Sequence, residues 1–141
     1  WYAPAMNIHR TPFAGRNFEY FSEDSFSSGL LATYAIQGAG SMGMYSYIKH
    51  FALNDQEDHR TDKGLVTFAN EQTIREIYLR PFQMAIEDSG TVTTKFYEYN
   101  KETGEYVLKT AETPIATAVM SSFNRIGLTW AGGDYRLLTQ V

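Results

Sequence analysis

Met44-Tyr45-Ser46-Tyr47-Ile48, followed by Lys49-His50-Phe51-Ala52-Leu53-Asn54-Asp55-Gln56-Glu57-Asp58-His59-Arg60, is the stretch on which the reading of this chain turns. A strand-like run without strict alternation gives way to a charged loop. A strand buried on both faces has such a mixed pattern, because helices cover both sides of a parallel sheet. In those sheets ligands meet the protein at the carboxyl ends of the strands. The stretch is therefore expected to line a site, with Lys49 and His50 foremost. Adjacent strand positions point to opposite faces, so both side chains reach one ligand only if the strand is ending at Lys49. The plainer use of the pair is local charge pairing with Asp55, Glu57 or Asp58.

The same rhythm extends to either side. Trp1 to Met6 reads as a short buried strand, with Pro4 near an end or an irregularity because it lacks a ladder donor. A polar turn, Asn7 to Pro12, and a loop through Glu19 follow. Ser22-Glu23-Asp24-Ser25 supplies capping groups for a helix over Ser25 to Ser41. Its apolar positions are Leu30, Leu31, Tyr34 and Ile36, and Gly38, Gly40 and Gly43 end it. After the polar loop to Phe68, Asn70 caps a second helix with Ile74, Ile77, Tyr78, Phe82 and Ile86 on one stripe. Pro81 should kink or divide it. Residues 91–113 read instead as an antiparallel hairpin with a Gly-containing turn at 100–104. Ile115 to Met120 is the third strand; the loop Ser121 to Gly133 and an amphipathic stretch, Asp134 to Val141, close the chain.

Strand-helix units repeated with a polar loop after each strand imply right-handed crossovers and a parallel sheet. Three such strands make a poor free-standing domain. The expected fold is α/β, about three of the eight units of a (β/α)8 TIM-like barrel with an inserted β-hairpin. The missing strands would come from the remainder of the same polypeptide or a complementary chain.

Composition removes several function classes. The 141 residues are 43% hydrophobic and 20% charged, ordinary for a globular chain. A net charge of -4 with mixed signs offers no basic patch for nucleic acid. No apolar run is long enough to span a bilayer. Zero cysteines exclude disulfides and thiolate chemistry and leave the compartment undecided. His9, His50 and His59 with Asp55, Glu57 and Asp58 lack any regular ligand interval, so no metal is expected. Gly132-Gly133 before a helix is a weak phosphate signal that helix initiation explains equally well. Aromatic content is high, at 15%. It suits a core, and it also suits the apolar faces of sugar rings.

Arg16, Lys49, His50 and Arg60 are the cationic or hydrogen-bonding groups in the post-strand loops. A hydroxyl-rich ligand needs such donors and acceptors in fixed geometry. Four stretches then carry a resemblance: Asn7 to Asp24 (NIHRTPFAGRNFEYFSED), Lys49 to Arg60, Glu71 to Phe82 (EQTIREIYLRPF) and Val119 to Asn124 (VMSSFN). In this order they closely resemble the catalytic barrel of glycoside hydrolase family 3, β-glucosidase type, over nearly the whole chain outside the hairpin. The N-acetylglucosaminidase branch resembles it less, because this chain has Ala52-Leu53-Asn54-Asp55 after Lys-His-Phe.

The resemblance implies that residues 1–141 are a fragment of the N-terminal catalytic barrel, with 91–113 a hairpin insertion. It implies a β-glucoside or oligosaccharide substrate and no cofactor. Arg16, Lys49 and His50 would hydrogen-bond the sugar before the scissile bond, Arg60 would sit near the nucleophile, and Met120 and Phe123 would line the pocket. Phe123 lacks the hydroxyl that the family commonly has there. A retaining hydrolase needs a carboxylate nucleophile and a separate acid/base. The nucleophile, an Asp in a Ser-Asp-Trp type motif, is expected beyond Val141, and the acid/base Glu in a following domain. Asp134 is in the wrong context, so no catalytic carboxylate is assigned in this chain. The isolated chain is expected to be inactive. Other family specificities, such as β-xylosidase, remain open, as does a non-catalytic sugar-binding or structural segment.

Overall fold

A computed structural model describes residues 1–60 and 64–141; part of the polar loop read as running to Phe68 lies outside the described residues. Its central feature is a parallel arc. Strand β1 (Ser46–Phe51) pairs in parallel with β5 (Ala116–Ser121), Ile48 opposite Val119 and Lys49 opposite Met120. On the other side of β1 the amino-terminal segment runs parallel, through Tyr47 N to Trp1 O (2.8 Å), Lys49 N to Pro4 O (3.1 Å) and Met6 N to Lys49 O (2.9 Å). The expected strand Trp1 to Met6 is thus extended but forms only a single bridge, Ala5 to Lys49. Pro4 has no N–H to give a ladder.

Helix α1 (Ser25–Ser41) has the expected bounds, and Asp24 caps it by accepting from Ser27 N at 2.6 Å. The backbone of Gly43, at φ +79°, closes its carboxyl end, with Gly43 N bonding Gly40 O and Met44 N bonding Ala39 O. Of the four apolar positions, Ile36 alone is buried. Leu30, Leu31 and Tyr34 are exposed, while Ser28, Gly29, Ala32, Thr33, Ile36 and Gly40 are buried. Close approach explains it. A Cβ on Gly29 would lie 2.6 Å from Met84 Sδ, and one on Gly40 would lie 2.6 Å from Ile115 Cδ1. Gly40 therefore packs against the start of β5 rather than ending the helix.

Asn70 caps α2 (Glu71–Thr73) by accepting from Thr73 N at 2.8 Å, and a wide π turn over Ile74–Tyr78 leads to α3 (Arg80–Asp88). Pro81 sits in the first turn of α3, where its missing donor is tolerated. The helix is divided as expected, with Tyr78 and Phe82 buried but Ile77 and Ile86 exposed. The core joins Met6, Ile36, Ile48, Phe51, Phe82 and Ile115, with the Phe51 and Phe82 rings edge to face at 5.2 Å.

The hairpin of β3 (Thr91–Asn100) and β4 (Glu105–Pro114) follows α3 as expected, and Gly104 turns it at φ +72°. It is rooted at the amino end of the arc, where Tyr45 and Thr94 hydroxyls meet at 2.9 Å and Ile115 N bonds Gly90 O. Beyond the carboxyl ends lies a small sheet of β2 (Val66–Thr67), β6 (Arg125–Ile126) and β7 (Thr129–Trp130). The stretch 121–133, expected as loop, thus contains two short strands and a single 3₁₀ turn, Ala131–Gly133. β7 pairs with its neighbour β6, whereas the pairing of β6 with β2 comes from another part of the chain and leaves no local pattern. Helix α4 (Tyr135–Thr139) ends the fold, capped by Asp134. Among the described residues no helix is long and apolar enough to cross a membrane.

Candidate functional site

The carboxyl end of β1 is where charged side chains converge. The strand does not end at Ile48 or Lys49 but runs to Phe51; Ser46, Ile48 and His50 are buried within it. Its register against β5 shifts between Lys49 and Phe51. Alternation is broken at that point, and Lys49 and His50 both reach one cluster. The strand end expected at Lys49 is not there; Lys49 and His50 reach the adjacent residues Glu19 and Tyr20 from within an irregular strand.

The loop before α1 supplies the opposing groups. His9 Nε2 donates to the carbonyls of Asn17 (3.0 Å) and Tyr20 (3.1 Å), and Asn17 Nδ2 donates to Thr11 O (2.7 Å), which folds residues 7–20 over the end of the arc. A short 3₁₀ turn, Asn17–Glu19, lets Glu19 reach back to Arg16, whose Nε contacts Glu19 Oε1. The other oxygen of Glu19 takes Lys49 Nζ at 3.3 Å. In the loop after β1, Glu57 receives Arg60 at 3.2 Å, Arg16 at 3.8 Å and Asn54 Nδ2 at 3.0 Å. Three cations thus face two carboxylates. Arg16, Phe18, Glu57, His59 and Arg60 line an open cleft of about 560 Å³.

His50 is almost fully enclosed. Asn7 holds its backbone from both sides, Nδ2 donating to His50 O at 2.9 Å and Oδ1 accepting from His50 N at 2.8 Å. Its Nδ1 lies 3.3 Å from the Tyr20 hydroxyl, which receives Asn54 Nδ2 at 2.8 Å. Burial, reinforced by the Arg16 guanidinium, pushes the His50 pKa down to about 4 against the partial opposition of Glu19. The imidazole is therefore neutral near pH 7.

The structure brings Arg16, Lys49, His50 and Arg60 into one neighbourhood. Phe123 joins it through the Arg60 guanidinium, 5.1 Å from the ring centroid, and Met120 stands beside Lys49 in the ladder. The local pairing weighed for Lys49 and His50 does not form with the expected partners. Asp55 is buried against Arg10 (3.1 Å) and the Thr67 hydroxyl (3.0 Å), Glu57 serves the two arginines, and Lys49 takes Glu19. Asp134 is held below the usual carboxylate range chiefly by Arg136, while it caps α4. Sequence reasoning missed Asn7, Glu19, Tyr20 and Asn54. The i, i+3 spacing of Arg16 and Glu19 was the one available signal. Nothing local marks Asn7, whose partner is 43 positions away.

A parallel β/α arc with hydrogen-bonding groups at its carboxyl ends is the layout of a β/α-barrel enzyme. The model of the glycosyl hydrolase family 3 N terminal domain matches residues 1–130, and the chain belongs to that family. It is 45% identical over 114 residues to a probable beta-glucosidase K of Aspergillus fumigatus, covering 79% of this chain and 14% of that protein. To a beta-glucosidase of Ruminococcus albus it is 35% identical over 138 residues, covering 98% and 12%. Beta-glucosidase 3B of Thermotoga neapolitana, solved in complex with glucose, superposes with a TM-score of 0.76 at 36% identity over 99% of this chain and 16% of that one. The fold is part of a TIM-like barrel, and the chain spans about a seventh of the length of these relatives.

Proposed function

We propose that this chain is a segment of a retaining, β-glucosidase-type glycoside hydrolase that removes terminal β-linked glucosyl residues. Arg16, Lys49 and His50 would grip the hydroxyls of the sugar before the scissile bond, with Arg60, Met120 and Phe123 around it. The observation that carries this reading is the convergence of Lys49 and His50 with Arg16 at one strand end, across a register shift, in a chain whose relatives are named as β-glucosidases. Charged donors bonded to sugar hydroxyls are stronger than neutral ones and fix orientation. A neutral His50 adds a donor or acceptor without a further charge.

Retention requires two carboxyl groups about 5 Å apart across the glycosidic bond, one attacking and one exchanging a proton. Glu19, Asp55, Glu57 and Asp134 are each engaged by cations. The family resemblance puts the nucleophile and the acid/base in motifs these 141 residues do not contain, and on that ground we assign both to the rest of the polypeptide or a complementary chain. Residues 91–113 are read as a hairpin inserted between barrel units.

The test is turnover of an aryl β-glucoside by the intact protein. Arg16→Ala and Lys49→Ala should each lower kcat/KM by about tenfold to a hundredfold, as loss of a charge-assisted bond implies. Wild-type rates in both variants would overturn the assignment. A kcat/KM for the aryl β-xyloside above that for the glucoside would redirect the substrate to pentosides.

A further inference from the structure

We propose that Tyr20 is a positioning residue whose hydroxyl fixes the imidazole of His50 in the tautomer that carries its hydrogen on Nε2. The argument follows hydrogens through the network, starting from a group that has only one possible role. Glu57, ion-paired with Arg60, accepts and cannot donate. Asn54 lies 3.0 Å from Glu57 Oε1, so its amide nitrogen must face that carboxylate; the flipped amide would set oxygen against oxygen. The same Nδ2 is 2.8 Å from the Tyr20 hydroxyl, to which its second hydrogen goes. Tyr20 Oη thereby accepts from Asn54 and keeps its own hydrogen to give.

Among the described residues the one other partner of that hydroxyl is His50 Nδ1, at 3.3 Å. Tyr20 donates to it, Nδ1 is the acceptor, and the neutral ring holds its hydrogen on Nε2. Were Nδ1 protonated, Tyr20 would accept twice and its own hydrogen would have no acceptor among the described residues. Burial makes that arrangement unfavourable, with Tyr20 at 6%, His50 at 4% and Asn54 at 3% exposure. Two further features hold the relay in place. Burial pushes the Tyr20 hydroxyl up from its ordinary pKa, against the lowering by Asn54, so it stays a donor. Asn7 clamps the His50 backbone on both sides.

In consequence, the arginine-glutamate cluster and the histidine act as one unit. Arg60 holds Glu57, Glu57 orients Asn54, Asn54 occupies the acceptor side of Tyr20, and Tyr20 sets the ring. What Nε2–H then meets rests on the sugar-binding reading, under which it donates to a glycone hydroxyl. The direction of the relay does not depend on that reading.

The test uses the intact protein in four forms: wild type, Tyr20→Phe, His50→Gln and the double variant. A glutamine amide donates from about the position of Nε2 and has no tautomer to lose. Tyr20→Phe should lower kcat/KM about tenfold to a hundredfold, the weight of one buried hydrogen bond. In the His50→Gln background it should change kcat/KM by less than about threefold, because the interaction it removes is already absent. An equal loss in both backgrounds would mark Tyr20 as a packing residue and overturn the proposal. The second readout needs no turnover. In protein labelled with ¹⁵N-histidine, the imidazole signals lost on His50→Gln identify residue 50. The wild type should show the pattern of a ring protonated on Nε2, and Tyr20→Phe a shift towards mixed tautomers. An Nδ1–H pattern in the wild type, or signals unmoved by Tyr20→Phe, would overturn it. A wild type that hydrolyses no β-glucoside would defeat the proposed function, while the nitrogen spectrum would still decide the role of Tyr20.

Discussion

At the carboxyl end of β1, Asn7, Tyr20, His50 and Asn54 are buried and bonded to partners 30 or more positions away. At its amino end, the β3–β4 hairpin meets water on both faces, with Tyr97 at 68% exposure on one and Phe96 at 43% on the other, and its ladder joins residues facing each other across one turn. Both regions are rich in polar and aromatic side chains, so composition does not separate them. Burial does. In the cluster an atom that loses its partner cannot turn to water, so each removal is felt through the unit. In the hairpin water replaces any lost partner, and contributions stay small and separate.

The sharpest test of that contrast is Asn7→Ala. It leaves the buried N–H and C=O of His50 unpaired and should destabilise the intact protein by about 4 kcal/mol in chemical denaturation. A loss below about 1 kcal/mol would break the comparison. Acid should act on the same end. His50 in the unfolded chain takes a proton near pH 6.5, but in the fold only near pH 4. Between these values the unfolded state binds more protons, so stability falls as the pH drops, by about 3 kcal/mol from this residue. His50→Gln should remove that part of the slope.

The hairpin should respond weakly. Tyr106→Ala, which removes a ring 5.2 Å from that of Tyr99, should cost about 1 kcal/mol and leave kcat/KM unchanged. Lys109→Ala breaks the exposed pair with Glu98, 3.7 Å apart, and should alter the melting behaviour by less than about 0.5 kcal/mol. A hairpin variant that lowers activity as strongly as Lys49→Ala would show that the two ends of the arc are coupled.

The legibility of the sequence follows the same division. Caps and turns are local, so the bounds of α1 at Ser25 and Ser41, the cap at Asn70, the division near Pro81 and the hairpin about Gly104 are legible in the sequence. The buried face of α1 is not legible in its apolar spacing: Leu30, Leu31 and Tyr34 are the larger apolar residues, yet the contact with α3 needs the space of Gly29. Lys49 and His50 have the composition of a loop, but they belong to β1, where Glu19, Tyr20 and Asn7 are their partners. Of the cluster, the cations stood out by charge and position, and the groups that hold them did not.

By itself the sequence determined the order of the longer elements, the parallel arc, and the motifs around Arg16, Lys49-His50 and Arg60 that place the chain in its family. These rest on local propensity and on short contiguous patterns, which need no partner to be read. Only the tertiary structure decided that Glu19 and Glu57 share out the cations, that α1 turns its small residues inward, and that Asn7 and Tyr20 govern the histidine. The deciding contacts, Lys49 with Glu19, Gly29 with Met84 and Asn7 with His50, join residues far apart in the chain, and a buried polar group takes whichever partner the fold brings within about 3 Å.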